Sequence, residues 1–321
     1  TLTGSDLDLT ISVSITVNGD TDGVAVIPAK LASDIVRSLE PGAVNFEVVD
    51  EEVRITSGRS DFSLRLIPAD EFPHLADAAG DAVTLSAAEF AAALHQVVPA
   101  ASADDSRPIL TGVLLAAEET GLRLVATDSY RLAVRDLPGT SVLSEGQSVL
   151  VPSRALGELG RLLGDADELT LRLGERDASF EVGDVRLSTR LIEGEFPNYR
   201  GLIPASHPNR LTVGRETLLD AVRRVRLMAR ESTPVRLVMK EGSLELLAVT
   251  QDVGQAHEEL DATFDGTELT VAFNPEFLIQ GAEVTPGDEL TLETIDALKP
   301  ALLRSSDSPE FLYLLMPVRV S

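Results

Sequence analysis

The chain repeats itself at intervals of about 120 residues, and this period limits the possible folds more than any other feature. Turn-like aspartates stand at Asp6, Asp128 and Asp252, next to the strand-patterned stretches Leu2 to Leu9, Leu122 to Pro138 and Leu244 to Asp252, at spacings of 122 and 124 residues. A second register links Val26-Ile27-Pro28-Ala29-Lys30-Leu31, Leu150 to Leu156 and Ala272 to Leu278, with Pro28, Pro152 and Asn274 placed 124 and 122 apart. Each copy ends a strand and opens a short amphipathic helix. A third register, Glu71-Phe72-Pro73-His74-Leu75 against Glu195-Phe196-Pro197-Asn198-Tyr199, is offset by 124. Agreement of three registers means a tandem of three similar domains, because the period far exceeds the ~20–50 residues of a solenoid unit.

The middle unit is the most legible. A helix is expected over Ser86 to Val98, with Ser86 as N-cap and Glu89 three residues on. Strands follow near Gly112 to Ala117, Leu122 to Ala126, Tyr130 to Asp136 and Ser148 to Val151. A second helix over Ser153 to Leu163 turns Leu156, Leu159, Leu162 and Leu163 to one side and stops at Gly164. Strands over Glu168 to Leu173, Ala178 to Val182 and Asp184 to Leu191 close the unit, the last two joined through Gly183-Asp184. Each domain therefore reads as two similar halves: an α+β class, with two helices packed on one face of antiparallel sheets. The expected domains are 1–80, 81–205 and 206–321, the third opening with a helix from Arg215 to Arg230. Because Thr1 enters at a strand equivalent to Leu122, domain one is expected to be incomplete, with its N-terminal half absent.

The chain has 321 residues and no cysteine, so nothing points to disulfides, and it shows no apolar leader or spanning run; a cytoplasmic protein without membrane contact is expected. Its formal charge is −25, from 52 acidic and 27 basic residues, so the overall field repels nucleic acid and only a local basic surface could reverse that. Basic residues do gather on the helices: Lys30 and Arg37, Arg154 and Arg161, then Arg223, Arg224, Arg226 and Arg230. They fit solvated helix faces or a sequence-blind phosphate-tracking surface, and repetition across the units favours the latter.

Catalytic motifs are lacking. His74, His95, His207 and His257 are scattered, neither phosphate-loop motif occurs, and Ser129 has no nucleophile-elbow setting, so neither a metal nor a cofactor is expected. Asp6 with Asp8, and Asp104 with Asp105, could hold magnesium in a nuclease-like enzyme, although turn and cap roles suit them better. The terminal strand Leu312 to Val320 is interrupted by Pro317, which fits an edge or a terminal segment. Met316 and its neighbours suit either core burial or an adaptable peptide-binding surface.

Four stretches, Ala126 to Val134, Glu193 to Pro204, Ala272 to Leu278 and Tyr313 to Val320, together resemble the bacterial DNA polymerase III beta subunits, the DNA sliding clamps. The resemblance implies three similar domains per subunit and a head-to-tail homodimeric ring that encircles duplex DNA as a non-catalytic processivity factor. It further implies a pocket between domains two and three for short linear motifs of the polymerase III alpha subunit, the clamp loader, repair polymerases and mismatch-repair proteins. One subsite would use Leu110, Thr127, Ser129, Tyr130, Arg131, Leu132, Pro197, Leu202, Leu314 and Met316; the other Arg107, Asn274, Phe277, Leu298, Pro300, Val318 and Arg319. Gly201 and Pro108-Ile109 depart from familiar members. Ring closure would set Phe62, on a strand from Arg59 to Leu66, against the partner's Arg226 and Leu227. The DNA-facing candidates are Lys30, Arg37, Arg154, Arg161, Arg223 and Arg224, of which Arg154 alone matches a family contact.

Overall fold

The computed structural model describes residues 1–73, 78–229 and 233–319; His74, Leu75, Arg230 and Val320 lie outside them. In the first unit, β1 (Leu2–Ser5) and β2 (Leu9–Val13) form a hairpin, followed by α1 (Ala29–Ser38) and the meander β3 (Asn45–Val49), β4 (Glu52–Ser57) and β5 (Ser60–Arg65). The second unit runs β6 (Ala82–Ser86), α2 (Ala87–Val97), β7 (Gly112–Glu118), β8 (Gly121–Thr127), β9 (Arg131–Pro138), β10 (Ser148–Pro152), α3 (Ser153–Leu163), β11 (Glu168–Leu173), β12 (Asp177–Val182) and β13 (Val185–Arg190). The third runs β14 (Asn209–Gly214), α4 (Arg215–Val225), β15 (Val235–Lys240), β16 (Ser243–Thr250), β17 (Gly254–Asp261), β18 (Thr263–Asp265), β19 (Leu269–Phe273), α5 (Pro275–Val284), β20 (Glu289–Thr294), β21 (Ala301–Arg304) and β22 (Phe311–Leu315). All strand pairs are antiparallel. Units two and three each carry two helices, and unit one carries one among the described residues.

Local chemistry accounts for the helix limits. The Ser86 hydroxyl accepts the Glu89 amide at 3.3 Å and caps α2. Pro28, Pro152 and Asn274 each occupy the position just before a helix, so the second repeat register is structural. Helix α3 buries Leu156, Leu159 and Leu163 and ends at Gly164, whose φ of 38° suits glycine. Helix α4 is shorter than expected: it ends at Val225 and passes into a 3-10 turn over Arg226–Met228.

The first register needs a correction of one residue. Each hairpin has a three-residue loop whose middle residue takes positive φ: Leu7 at 84°, Ser129 at 81° and Asp252 at 63°. Asp6 and Asp128 precede those residues, but Gln251 does so in unit three, so Asp252 corresponds to Ser129 rather than Asp128. The Asp6 and Asp128 carboxylates accept the amides two and three residues on, at 3.2 and 2.8 Å and at 2.9 and 3.0 Å. The third loop instead closes by Val253 N–H donating to the Thr250 carbonyl at 3.1 Å.

Sheets continue across the unit boundaries. Strand β2 pairs with β13 inside a six-stranded sheet, and β9 pairs with β22 inside a nine-stranded one. The terminal strand is thus interior, between β9 and β21, rather than at an edge, and Pro317 lies beyond its last residue. There Val318 N–H donates to the Ala272 carbonyl at 2.8 Å, covering the outer side of β19. One large core joins the helices and sheets of units two and three, and a small separate core of Ala32, Ile35, Val53, Ile55 and Leu64 lies under α1.

Candidate peptide slot and basic helix faces

The hairpin loop after β8 builds the junction between units two and three. Leu132 stands directly opposite Leu314 in the β9–β22 pairing, and Met316 N–H donates to the Tyr130 carbonyl at 2.9 Å. The Thr127 hydroxyl donates to the Arg131 carbonyl at 2.6 Å and accepts the Ser129 amide at 3.1 Å, which fixes the loop. Arg107 reaches the Asp128 carbonyl and the Ser129 hydroxyl, both at 3.4 Å, while its Nε pairs with Asp104 at 3.0 Å. Leu132 and Leu314 pack with Val125, Val134, Tyr199 and Leu302 in a small core roofed by Phe196 and Ile203 of the 196–203 linker. Leu110 is buried, while Tyr130 and Leu202 stand exposed.

Arg131 is the pin of this junction, only 8% exposed. Its Nε pairs with Asp128 at 3.0 Å and its Nη1 donates to Gln280 and, at 3.3 Å, to the Tyr313 hydroxyl. The guanidinium lies 4.5 Å from the centre of the Phe277 ring, which also stacks on Tyr130 at 6.4 Å. Phe277 thus links the two expected subsites. Burial pushes the Tyr313 phenol up to about 12, the nearby Arg131 charge opposing it.

Of the residues expected in the second subsite, Leu298, Val318 and Arg319 line one cleft of about 220 Å³, together with Arg236, Thr270, Ala272 and Ala297, which carry no motif. Strand pairing could have found Arg236, which sits opposite Ala272. Asn274 is committed to capping α5, accepting the Glu276 amide at 2.9 Å, and Pro300 is half-buried. Another hollow, of about 600 Å³, lies elsewhere, between β7, β10 and the linker, and shares only Pro197 with the expected slot.

The basic helix faces carry less free charge than the sequence suggests. Arg154 pairs with Asp6 at 2.8 Å, Arg161 with Glu158, Arg223 with Glu283 at 2.7 Å and Arg224 with both oxygens of Glu258 at 2.6 and 2.7 Å. Lys30 and Arg37 of α1 have no ion pair among the described residues. Arg226 pairs with Glu276 at 2.6 Å, Leu227 is 82% exposed, and Phe62 packs partly into the core under α1.

The carboxylate pairs have structural partners. Asp6 accepts two amides, which with Arg154 holds its carboxyl below the usual range. Asp104 accepts the Ser106 hydroxyl at 2.6 Å and amide at 3.0 Å, which lowers it likewise. Among the described residues no cluster of acidic and histidine side chains could hold a metal, and no helix is long and apolar enough to cross a membrane.

Comparison with known proteins follows the same architecture. The models of the DNA polymerase III beta subunit match in order: the N-terminal domain over residues 1–76, the central domain over 84–198 and the C-terminal domain over 200–319. The first domain is therefore present in the chain, which corrects the expectation of a missing part there. The beta sliding clamp of Streptomyces coelicolor is 32% identical over 337 residues, covering 100% of this chain and 88% of the relative. That of Staphylococcus aureus is 31% identical over 332 residues, covering 99% and 88%. The crystal structure of the Bartonella birtlesii sliding clamp bound to griselimycin superposes with a TM-score of 0.93 at 33% identity, covering 99% and 88%. The Bacillus subtilis clamp gives 0.91 at 30% identity over the same shares. The chain belongs to the DNA polymerase III beta subunit family, the non-catalytic sliding clamps that act as processivity factors.

Proposed function

We propose that two copies of this chain close head to tail into a ring around duplex DNA and tether a replicative polymerase. The observation that carries this is the repeated junction: the strand that follows each positive-φ hairpin loop pairs with the last strand of the next unit, β2 with β13 and β9 with β22. The corresponding strands left at open edges are β17 and β5. Leu9 faces Thr189 and Arg131 faces Leu315 at those junctions. Carried through the repeat, with Ser60 in the place of Val185 after the preceding two-residue turn, Gly254 faces the partner's Leu64, and His257 faces the partner's Asp61.

The slot around Leu132, Leu314 and Met316 takes an apolar anchor of short linear motifs from the polymerase III alpha subunit, the clamp loader, repair polymerases and mismatch-repair proteins. The helix-borne cations Lys30, Arg37, Arg154, Arg161, Arg223 and Arg224 meet phosphates without reading sequence. The setting is the bacterial cytoplasm. Primer extension tests this directly: with a polymerase III alpha subunit and a clamp loader, adding the chain should lengthen products per binding event by at least about tenfold. Unchanged product length would contradict the proposal.

A further inference from the structure

The cleft at the second subsite has a chemical character that an apolar slot does not require. Strands β15 and β19 pair with Arg236 opposite Ala272 and Val238 opposite Thr270, so Arg236, Ala272 and Thr270 share the outer face of the four-stranded sheet. The alternate residues Leu237, Val271 and Phe273 are buried beneath. The terminal segment is tied alongside through the Val318–Ala272 hydrogen bond, which brings Arg319 to the same cleft. Arg236 and Arg319 are both exposed, and neither makes an ion pair among the described residues. Among the described residues no carboxylate lines the cleft. The nearest acid in sequence, Asp296, spends its Oδ1 on the amides of Leu298 and Lys299 at 2.7 and 2.9 Å. The Thr270 hydroxyl also makes no hydrogen bond among the described residues.

Two unpaired arginines in one small cleft are notable in a chain of charge −25, whose other arginines are so often paired to acids. We infer that Arg236, Thr270 and Arg319 form an anion-accepting extension of the slot, which selects partner peptides carrying an acidic side chain beside the apolar anchor. Peptide is favoured over nucleic acid here because the same cleft holds the exposed Leu298 and the apolar side of Val318, surfaces that a phosphate backbone leaves unused. The inference rests on the peptide-slot reading. Rim charges of this kind act through modest, salt-sensitive attraction.

The test uses the full chain and short synthetic peptides that share a Leu-Phe anchor and differ only in flanking residues, two glutamates against two glutamines, on either side of the anchor. Fluorescence anisotropy should show the glutamate peptide binding about threefold tighter or more, in one of the two placements, with the gain shrinking at high salt. Arg236→Gln and Arg319→Gln should each narrow the ratio of glutamate-peptide to glutamine-peptide affinity, removing part of that gain. Equal binding of both peptides, or a gain untouched by the two substitutions, overturns the extension while the slot stands. Failure of both peptides to bind overturns the slot and the extension with it. If the substitutions weaken duplex-DNA binding instead, the arginines track phosphate and the inference is wrong.

Discussion

Asp6 and Asp128 make the same turn, each holding two amides ahead of a residue at positive φ, but they sit in different dielectric surroundings. Asp128 is 8% exposed and is the charge partner of the buried Arg131. Removing it strands that guanidinium, so Asp128→Ala should cost about 3 kcal/mol or more. Asp6→Ala loses the same hydrogen bonds at the surface, with an exposed Arg154 partner, and should cost about 1 kcal/mol or less. Urea midpoints of the two variants measure the difference; equal shifts would refute the role given to burial. Tyr313 offers a second residue-scale check. Its phenol ionises at about 12 when folded and near ~10 when unfolded, so stability should fall as pH rises through that window. One of the three tyrosines should titrate late in phenolate absorbance, and Tyr313→Phe should flatten the alkaline loss of stability.

At the scale of elements, α4 makes the sharpest claim, because its arginines are held by carboxylates from other elements, Glu258 on β17 and Glu283 next to the end of α5. Phosphates must displace those carboxylates. Glu258→Gln should therefore tighten duplex binding and steepen its logarithmic salt dependence by about 1, one freed cation per subunit. An unchanged slope would show that Arg224 meets no phosphate. This pairing also marks the limit of reading the sequence. The limits of α3 were legible because Gly164 stops it, and the cap of α2 because Ser86 and Glu89 lie three residues apart. The pairing of Arg224 with Glu258 was not, since 34 residues separate them and acids are abundant along the chain. Similarly, Asp252 took the place of Gln251 in the repeat because turn aspartates look alike until φ is known. The interior place of β22 depends on pairing with β9, across 176 (311 − 135) to 184 (315 − 131) residues, which no local pattern around Pro317 reveals. Arg236 was missed because strand register, rather than a motif, brings it to the cleft.

For the whole molecule, the repeated junction fixes how copies should meet. The chain has no cysteine, so Asp61→Cys with His257→Cys places one new thiol on each open edge. Mild oxidation should link two chains between β5 and β17 into a closed covalent dimer. Linkage only at other engineered positions, such as Leu64→Cys with His257→Cys, would mean a different register. An acidic exterior is compatible with this design, because a ring holds DNA by linkage and needs little affinity for it.

The most direct measurement of that central claim is retention on DNA of two topologies. After assembly with a clamp loader and ATP, the protein should stay on nicked circular DNA through gel filtration in moderate salt and leave when one cut makes the circle linear. Equal retention on circular and linear DNA, or loss from both, would contradict an encircling clamp.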